Sequence, residues 1–116
     1  MPRIAQDYST QYPNPITVRA GDRVEVGRDD PENPGWRWCT GPDGREGWVP
    51  EDLLQPDGTG ASMRRDYTAR ELDVRTGTDV VLGETMHGWV WATAADGRSG
   101  WIPLSCVAQN GPTDRR

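Results

Sequence analysis

Asp43-Gly44-Arg45-Glu46-Gly47-Trp48-Val49-Pro50 reads as a tight turn followed by a short strand that a proline stops. It is written again as Asp96-Gly97-Arg98-Ser99-Gly100-Trp101-Ile102-Pro103, 53 residues later and identical at six of eight positions. Working outward, Gly35-Trp36-Arg37-Trp38 returns as Gly88-Trp89-Val90-Trp91 at the same spacing. Farther upstream, Ile16-Thr17-Val18-Arg19-Ala20-Gly21-Asp22-Arg23-Val24 returns as Leu72-Asp73-Val74-Arg75-Thr76-Gly77-Thr78-Asp79-Val80, 56 residues later. The landmarks keep their order, so the chain is one small module written twice.

The pattern within each copy is strand, turn, strand. Ile16-Thr17-Val18 and Val24-Glu25-Val26 alternate around the turn pair Gly21-Asp22. Residues 28–35 hold two prolines and a glycine and read as a loop. Trp36 to Thr40 is a run of β-formers, Gly41-Pro42-Asp43-Gly44 a tight turn, and Glu51-Asp52-Leu53-Leu54 is long enough for a single 3₁₀ turn. No stretch sustains a helical period. The expected fold is all-β, two small barrels in tandem: residues 1–55, a polar, glycine-containing linker 56–62, residues 63–108, and a flexible tail 109–116.

Modules of this size sit near the lower limit for independent folding, and the six Trp supply large packing area. Phe and Lys are absent, and all 13 basic residues are Arg, a bias that points to a bacterial source. Residues 1–58 carry 11 acids and 6 Arg, a net of −5, whereas residues 59–116 carry 7 of each. An acidic chain without a basic stripe does not suit nucleic acid. Met1-Pro2-Arg3-Ile4-Ala5-Gln6-Asp7 has no apolar run of signal-peptide type and no segment is long enough to span a membrane, so the expected location is cytoplasmic, with no membrane partner. Cys39 and Cys106 form neither a disulfide framework nor a metal site and are expected as buried thiols.

Each copy resembles an SH3 domain. Asp7-Tyr8 and Asp66-Tyr67 are similar to the end of the ALYDY motif, Gly21-Asp22 to the diverging turn, Gly35-Trp36 and Gly88-Trp89 to the Trp after the n-Src loop, and Gly47-Trp48-Val49-Pro50 and Gly100-Trp101-Ile102-Pro103 to the Gly-Tyr-Ile-Pro segment. The resemblance implies a groove of aromatic ridges that takes a polyproline II peptide, which binds at low ordering cost. Carried over position by position, one groove uses Tyr8, Trp36, Trp48 and Pro50 and the other Tyr67, Trp89, Trp101 and Pro103. The family's last groove Tyr falls at Leu53 and Cys106, and residues 9–15, the first RT loop, hold no acid. Asp29, Asp30 and Glu32 in the n-Src loop are candidate substitutes for recognising a basic ligand residue.

Strand alternation puts Trp38 and Trp91 on the faces of Trp36 and Trp89, an apolar patch that reads first as an inter-repeat or homodimer interface, with an extended ligand face and ordinary packing as the alternatives. One His and two scattered Cys make no catalytic constellation, and no cofactor or metal fingerprint is present, so enzymatic activity, cofactors and metals are not expected. The expected function is an adaptor that binds proline-rich or extended peptides through one or both grooves. Two other readings compete: a structural or regulatory protein whose repeats pack together with vestigial grooves, and a bacterial cell-wall-binding module.

Overall fold

The computed structural model describes residues 2–108. The expected tail, 109–116, lies outside the described residues. The chain is all-β. Among the described residues ten strands run in order: β1 (Thr17–Val18), β2 (Arg23–Asp29), β3 (Trp36–Thr40), β4 (Glu46–Pro50), β5 (Leu54–Asp57), β6 (Gly60–Met63), β7 (Tyr67–Thr68), β8 (Val80–Met86), β9 (Trp89–Ala94) and β10 (Ser99–Pro103). Single 3₁₀ turns, Glu51–Leu53 and Leu104–Cys106, follow the two prolines that end β4 and β10. Among the described residues no helix is long and apolar enough to cross a membrane.

Two compact units result, and they do not follow the repeat boundary. One is Tyr12–Arg70; the other is discontinuous, Met1–Gln11 with Glu71–Arg116. The contiguous unit holds a five-stranded antiparallel sheet, β4-β3-β2-β6-β5, and the β1-β7 pair. The discontinuous unit holds the three-stranded sheet β10-β9-β8, edged by the N-terminal segment.

The segment 56–62, expected as a linker, lies in the β5–β6 hairpin. Asp57 pairs with Gly60 across a two-residue loop, where Gly58 takes φ 66°, a conformation that glycine adopts at no steric cost. The other strand of the hairpin lies on β2, with Arg23 opposite Ser62 and Val24 opposite Ala61. From there the chain runs directly into β7, where Val18 pairs with Tyr67.

The N-terminal segment takes the same place in the other unit. Arg3 bridges Asp79, Ile4 bridges Val107 and Tyr8 bridges Val74. These are the repeat counterparts of Ser62 on Arg23, Met63 on Leu54 and Tyr67 on Val18. The loop bonds match too. Gly77 N–H donates to Ile4 O at 2.7 Å, as Gly21 N–H does to Met63 O at 2.8 Å. Asp7 Oδ1 accepts the Thr76 amide at 2.7 Å, as Asp66 Oδ1 accepts that of Ala20 at 2.8 Å. The two Asp-Tyr segments have therefore changed places: each seats in the unit built by the other repeat.

The core of the discontinuous unit is Ile4, Leu72, Val74, Val80, Val90, Ala92, Ala94, Ile102 and Val107, with Tyr8 and Leu82 packed against it. Ile4, 1% exposed, comes from the exchanged segment; Met63, 3% exposed, is its counterpart among the buried residues of the other unit. Burying one such side chain contributes about 1.5–3 kcal/mol. Gly47 and Gly100, identical in the repeat, mark a close approach. A Cβ at Gly100 would lie 2.6 Å from the Glu71 carbonyl carbon, and one at Gly47 would lie 2.8 Å from Ile16 Cγ2.

Candidate functional site

Antiparallel register builds the same ring-bearing face twice. In the discontinuous unit Trp89 is opposite Pro103 and Trp91 opposite Trp101. In the contiguous unit Trp36 is opposite Pro50 and Trp38 opposite Trp48. The fully buried positions that alternate with these rings are Val90 and Ala92 in one strand and Cys39 in the other.

The exchange decides which tyrosine reaches which face. Tyr8 stands edge-on to Trp89, with ring centroids 5.7 Å apart and planes at 82°. Its hydroxyl bonds Glu71. Tyr67 is in the contiguous unit, where its hydroxyl donates to the carbonyl of Trp48 at 2.9 Å. The quartets expected from the sequence are thus re-sorted: Tyr8 with Trp89, Trp101 and Pro103, and Tyr67 with Trp36, Trp48 and Pro50. Sequence order could not reveal this, because the two Asp-Tyr segments are near-copies.

Exposure separates the two faces. Tyr8, Trp89 and Pro103 are all half-buried, whereas Trp101 is 6% exposed. In the contiguous unit Trp36 is 6% and Tyr67 7% exposed and Pro50 is fully buried, so of the expected quartet only Trp48 reaches solvent. The accessible rings there are instead Tyr12, Trp38 and Trp48. Trp38 meets Trp48 at 5.0 Å and 76°, Tyr12 lies 5.7 Å from Trp38, and Trp48 Nε1–H donates to the Tyr12 hydroxyl at 3.4 Å. Trp91 meets Trp101 in the same edge-on way, at 5.4 Å and 80°. Trp38 and Trp91, read from sequence as an exposed interface patch, are each packed against a ring of their own unit.

The acids beside the Tyr8 face hold the exchanged segment. Glu71 Oε1 accepts the Gln11 amide at 2.8 Å, and Asp73 Oδ1 accepts that of Thr10 at 2.6 Å. Burial raises the pKa of Glu71, against the Gln11 amide and the Tyr8 hydroxyl, which lower it. The Thr10 amide holds Asp73 below the usual carboxylate range, and the Thr76 amide does the same for Asp7.

Two of the three n-Src acids are internally engaged. Asp29 pairs with Arg37 Nε at 2.8 Å. Asp30 accepts the amides of Glu32 and Asn33 and the Asn33 side chain; partial desolvation opposes its ionisation, but these bonds outweigh it and its pKa is lowered. Glu32 is exposed.

The thiols are buried. Burial pushes Cys39 up to about 11 and raises Cys106 as well. Leu53 and Cys106, which align with the family's last groove Tyr, are 6% and 4% exposed and do not line a surface groove. A cleft of about 360 Å³ opens in the contiguous unit beside Arg37, Leu54 and Pro56, but the Arg37 guanidinium is already bonded to Asp29 and to Gly27 O. Among the described residues no cluster of three or more His, Cys, Asp or Glu side chains is placed to hold a metal ion.

Residues 3–57, just under half of the chain, match the family model described as "Variant SH3 domain". No curated protein and no solved structure matches the chain. The matched stretch draws from both units, because residues 3–11 seat in the discontinuous one. An SH3 domain is in general a non-catalytic protein-interaction module, and that is the class to which this stretch points.

Proposed function

We propose that the chain is a tandem SH3-type adaptor and that its working groove lies in the discontinuous unit, formed by Tyr8, Trp89 and Pro103. The second repeat counts as SH3-like in this reading because its strands, turns and Asp-Tyr contacts match the first pair by pair. The observation that carries the proposal is the edge-on Tyr8–Trp89 pair, both rings half-exposed and Pro103 opposite Trp89 in the sheet.

Two rigid rings at right angles leave a notch that suits the ring of a proline in an extended peptide. An indole N–H at its edge supplies a donor for a peptide carbonyl. A polyproline II ligand arrives already extended, so little ordering entropy opposes binding. So shallow a groove supports affinity in the micromolar range or weaker, on the order of −8 kcal/mol or less favourable.

The burial of Trp36, Pro50 and Tyr67 favours a second reading for the other unit: its expected groove is vestigial, and these residues serve packing. A titration with proline-rich peptides, followed by NMR at the Trp indole N–H signals, tests both readings. Trp89 should shift and Trp36 should not, and Trp89→Ala should remove the response. A response at Trp36 alone would overturn the assignment, and no response at any Trp at millimolar peptide would overturn peptide binding.

A further inference from the structure

The sheets of both units carry the same irregularity. In β2, Val26 pairs with Cys39 and Asp29 with Arg37, so Gly27 and Arg28 together stand opposite Trp38. In β8, Leu82 pairs with Ala92 and Thr85 with Val90, so Gly83 and Glu84 stand opposite Trp91. A bulge of this kind re-aims a side chain out of the regular pleat. The residue at the bulge is a cation in one unit and an acid in the other.

In the contiguous unit the consequence is explicit. The Arg28 guanidinium carbon lies 5.0 Å from the Trp38 ring centroid and 5.2 Å from that of Trp48, in the angle between two rings set at 76°. A guanidinium against aromatic faces is held by the ring quadrupoles and keeps N–H donors available for a carboxylate. Arg28 is exposed, and among the described residues no carboxylate lies within ion-pair distance of it. Of the adjacent acids, Asp29 pairs with Arg37 and Asp30 is hydrogen-bonded within its own loop; the Arg28 charge helps lower the Asp30 pKa from beyond ion-pair distance. Tyr12, 38% exposed, extends the apolar floor beyond Trp38.

We propose that Tyr12, Trp38, Trp48 and Arg28 form a second docking surface, for an acidic peptide segment whose carboxylate meets the Arg28 guanidinium and whose neighbouring apolar side chain or proline lies on the rings. Charge complementarity selects this occupant: a stacked guanidinium without an ion-pair partner offers a carboxylate two parallel hydrogen bonds on a preformed, partly desolvated floor. A basic peptide would meet the Arg28 charge and have to displace it. The surface is distinct from the Tyr8–Trp89 groove and stands or falls without it.

The test uses the full chain and two peptides, (Glu-Pro)₄ and (Lys-Pro)₄, titrated while the Trp indole N–H signals are followed. (Glu-Pro)₄ should shift Trp38 and Trp48 and lose affinity as salt is raised. Arg28→Gln should weaken it by at least about tenfold, since a hydrogen-bonded charge is lost. Arg28→Glu should abolish it and favour (Lys-Pro)₄, and Glu84→Gln should leave it unchanged. Stronger binding of (Lys-Pro)₄ at Trp38 and Trp48 in the unaltered chain would overturn the proposal, as would undiminished (Glu-Pro)₄ binding in Arg28→Gln. A response confined to Trp89 would overturn this surface while leaving the first groove intact.

Discussion

Tyr8 N–H donates to the carbonyl of Val74, and Val74 N–H donates back to the carbonyl of Tyr8, both at 2.9 Å. Val18 and Tyr67 pair in the corresponding register. These two pairings seat each Asp-Tyr segment in the unit built by the other repeat. The first repeat's own tyrosine completes the second repeat's face.

The contiguous unit contains every strand of its five-stranded sheet as well as the β1–β7 pair, so residues 12–70 should fold alone. The stretch 3–57 lacks β6 and β7 and leaves the β2 edge without its partner. Thermal melts of the two fragments should give residues 12–70 the higher midpoint. A higher midpoint for 3–57 would show that the N-terminal segment closes on its own repeat.

Trp36 is 6% exposed, so Trp36→Ala should cost about 3–5 kcal/mol by urea denaturation, through lost burial and the cavity left behind. Trp89, half-buried, should cost clearly less when replaced by Ala, and its loss should appear in peptide affinity instead. Equal stability losses would argue that Trp89 also serves packing alone.

Glu71 and Asp73 should respond to pH with opposite signs. Burial raises the pKa of Glu71 above its unfolded value, so its contribution is fully present below the usual Glu range and is lost as pH rises through the folded pKa. The Thr10 amide lowers that of Asp73, whose contribution is present above the usual Asp range and is lost as pH falls through the folded pKa. Glu71→Gln should therefore gain on the unaltered chain as pH rises above the normal Glu range, and Asp73→Asn should lose most there. Denaturation midpoints measured from acid to neutral pH check both signs. A Glu71→Gln deficit that widens with pH would contradict the first.

Gly100→Ala should destabilise the discontinuous unit by about 1–3 kcal/mol, because the new methyl would stand 2.6–2.9 Å from backbone atoms of Glu71 and Leu72 that cannot yield as a flexible side chain would. The melt of the full chain, read at Trp89 and Trp101, should fall accordingly. An unchanged melt would show that the Glu71–Leu72 backbone does not approach Gly100 this closely.

Much of the fold was legible because its signals are local. Gly-Trp-Val-Pro and Gly-Trp-Ile-Pro gave β4 and β10, alternation gave the start of β2, and the repeat match of Val80 to Val24 gave that of β8. The β5–β6 hairpin was hidden, since Gln55-Pro56-Asp57-Gly58-Thr59-Gly60 has linker composition, and only pairing onto β2 makes it a sheet. The exchange was hidden for a stronger reason. Asp7-Tyr8 and Asp66-Tyr67 carry the same chemistry, so either fits either unit, and the chain's path through the hairpin determines the choice. The eight ring and proline positions were legible as types, but their exposure was not. Trp36 and Trp89 occupy equivalent register positions and differ in burial, which local spacing does not encode.

The most direct test of the exchange, and of the groove built on it, is the set of nuclear Overhauser contacts made by the Tyr8 ring in the full chain. Contacts from Tyr8 to the Trp89 indole and to Val74, with none to Trp36, are the predicted result. Contacts from Tyr8 to Trp36, with Tyr67 taking its place beside Trp89, would contradict the exchange and return each groove to its own repeat.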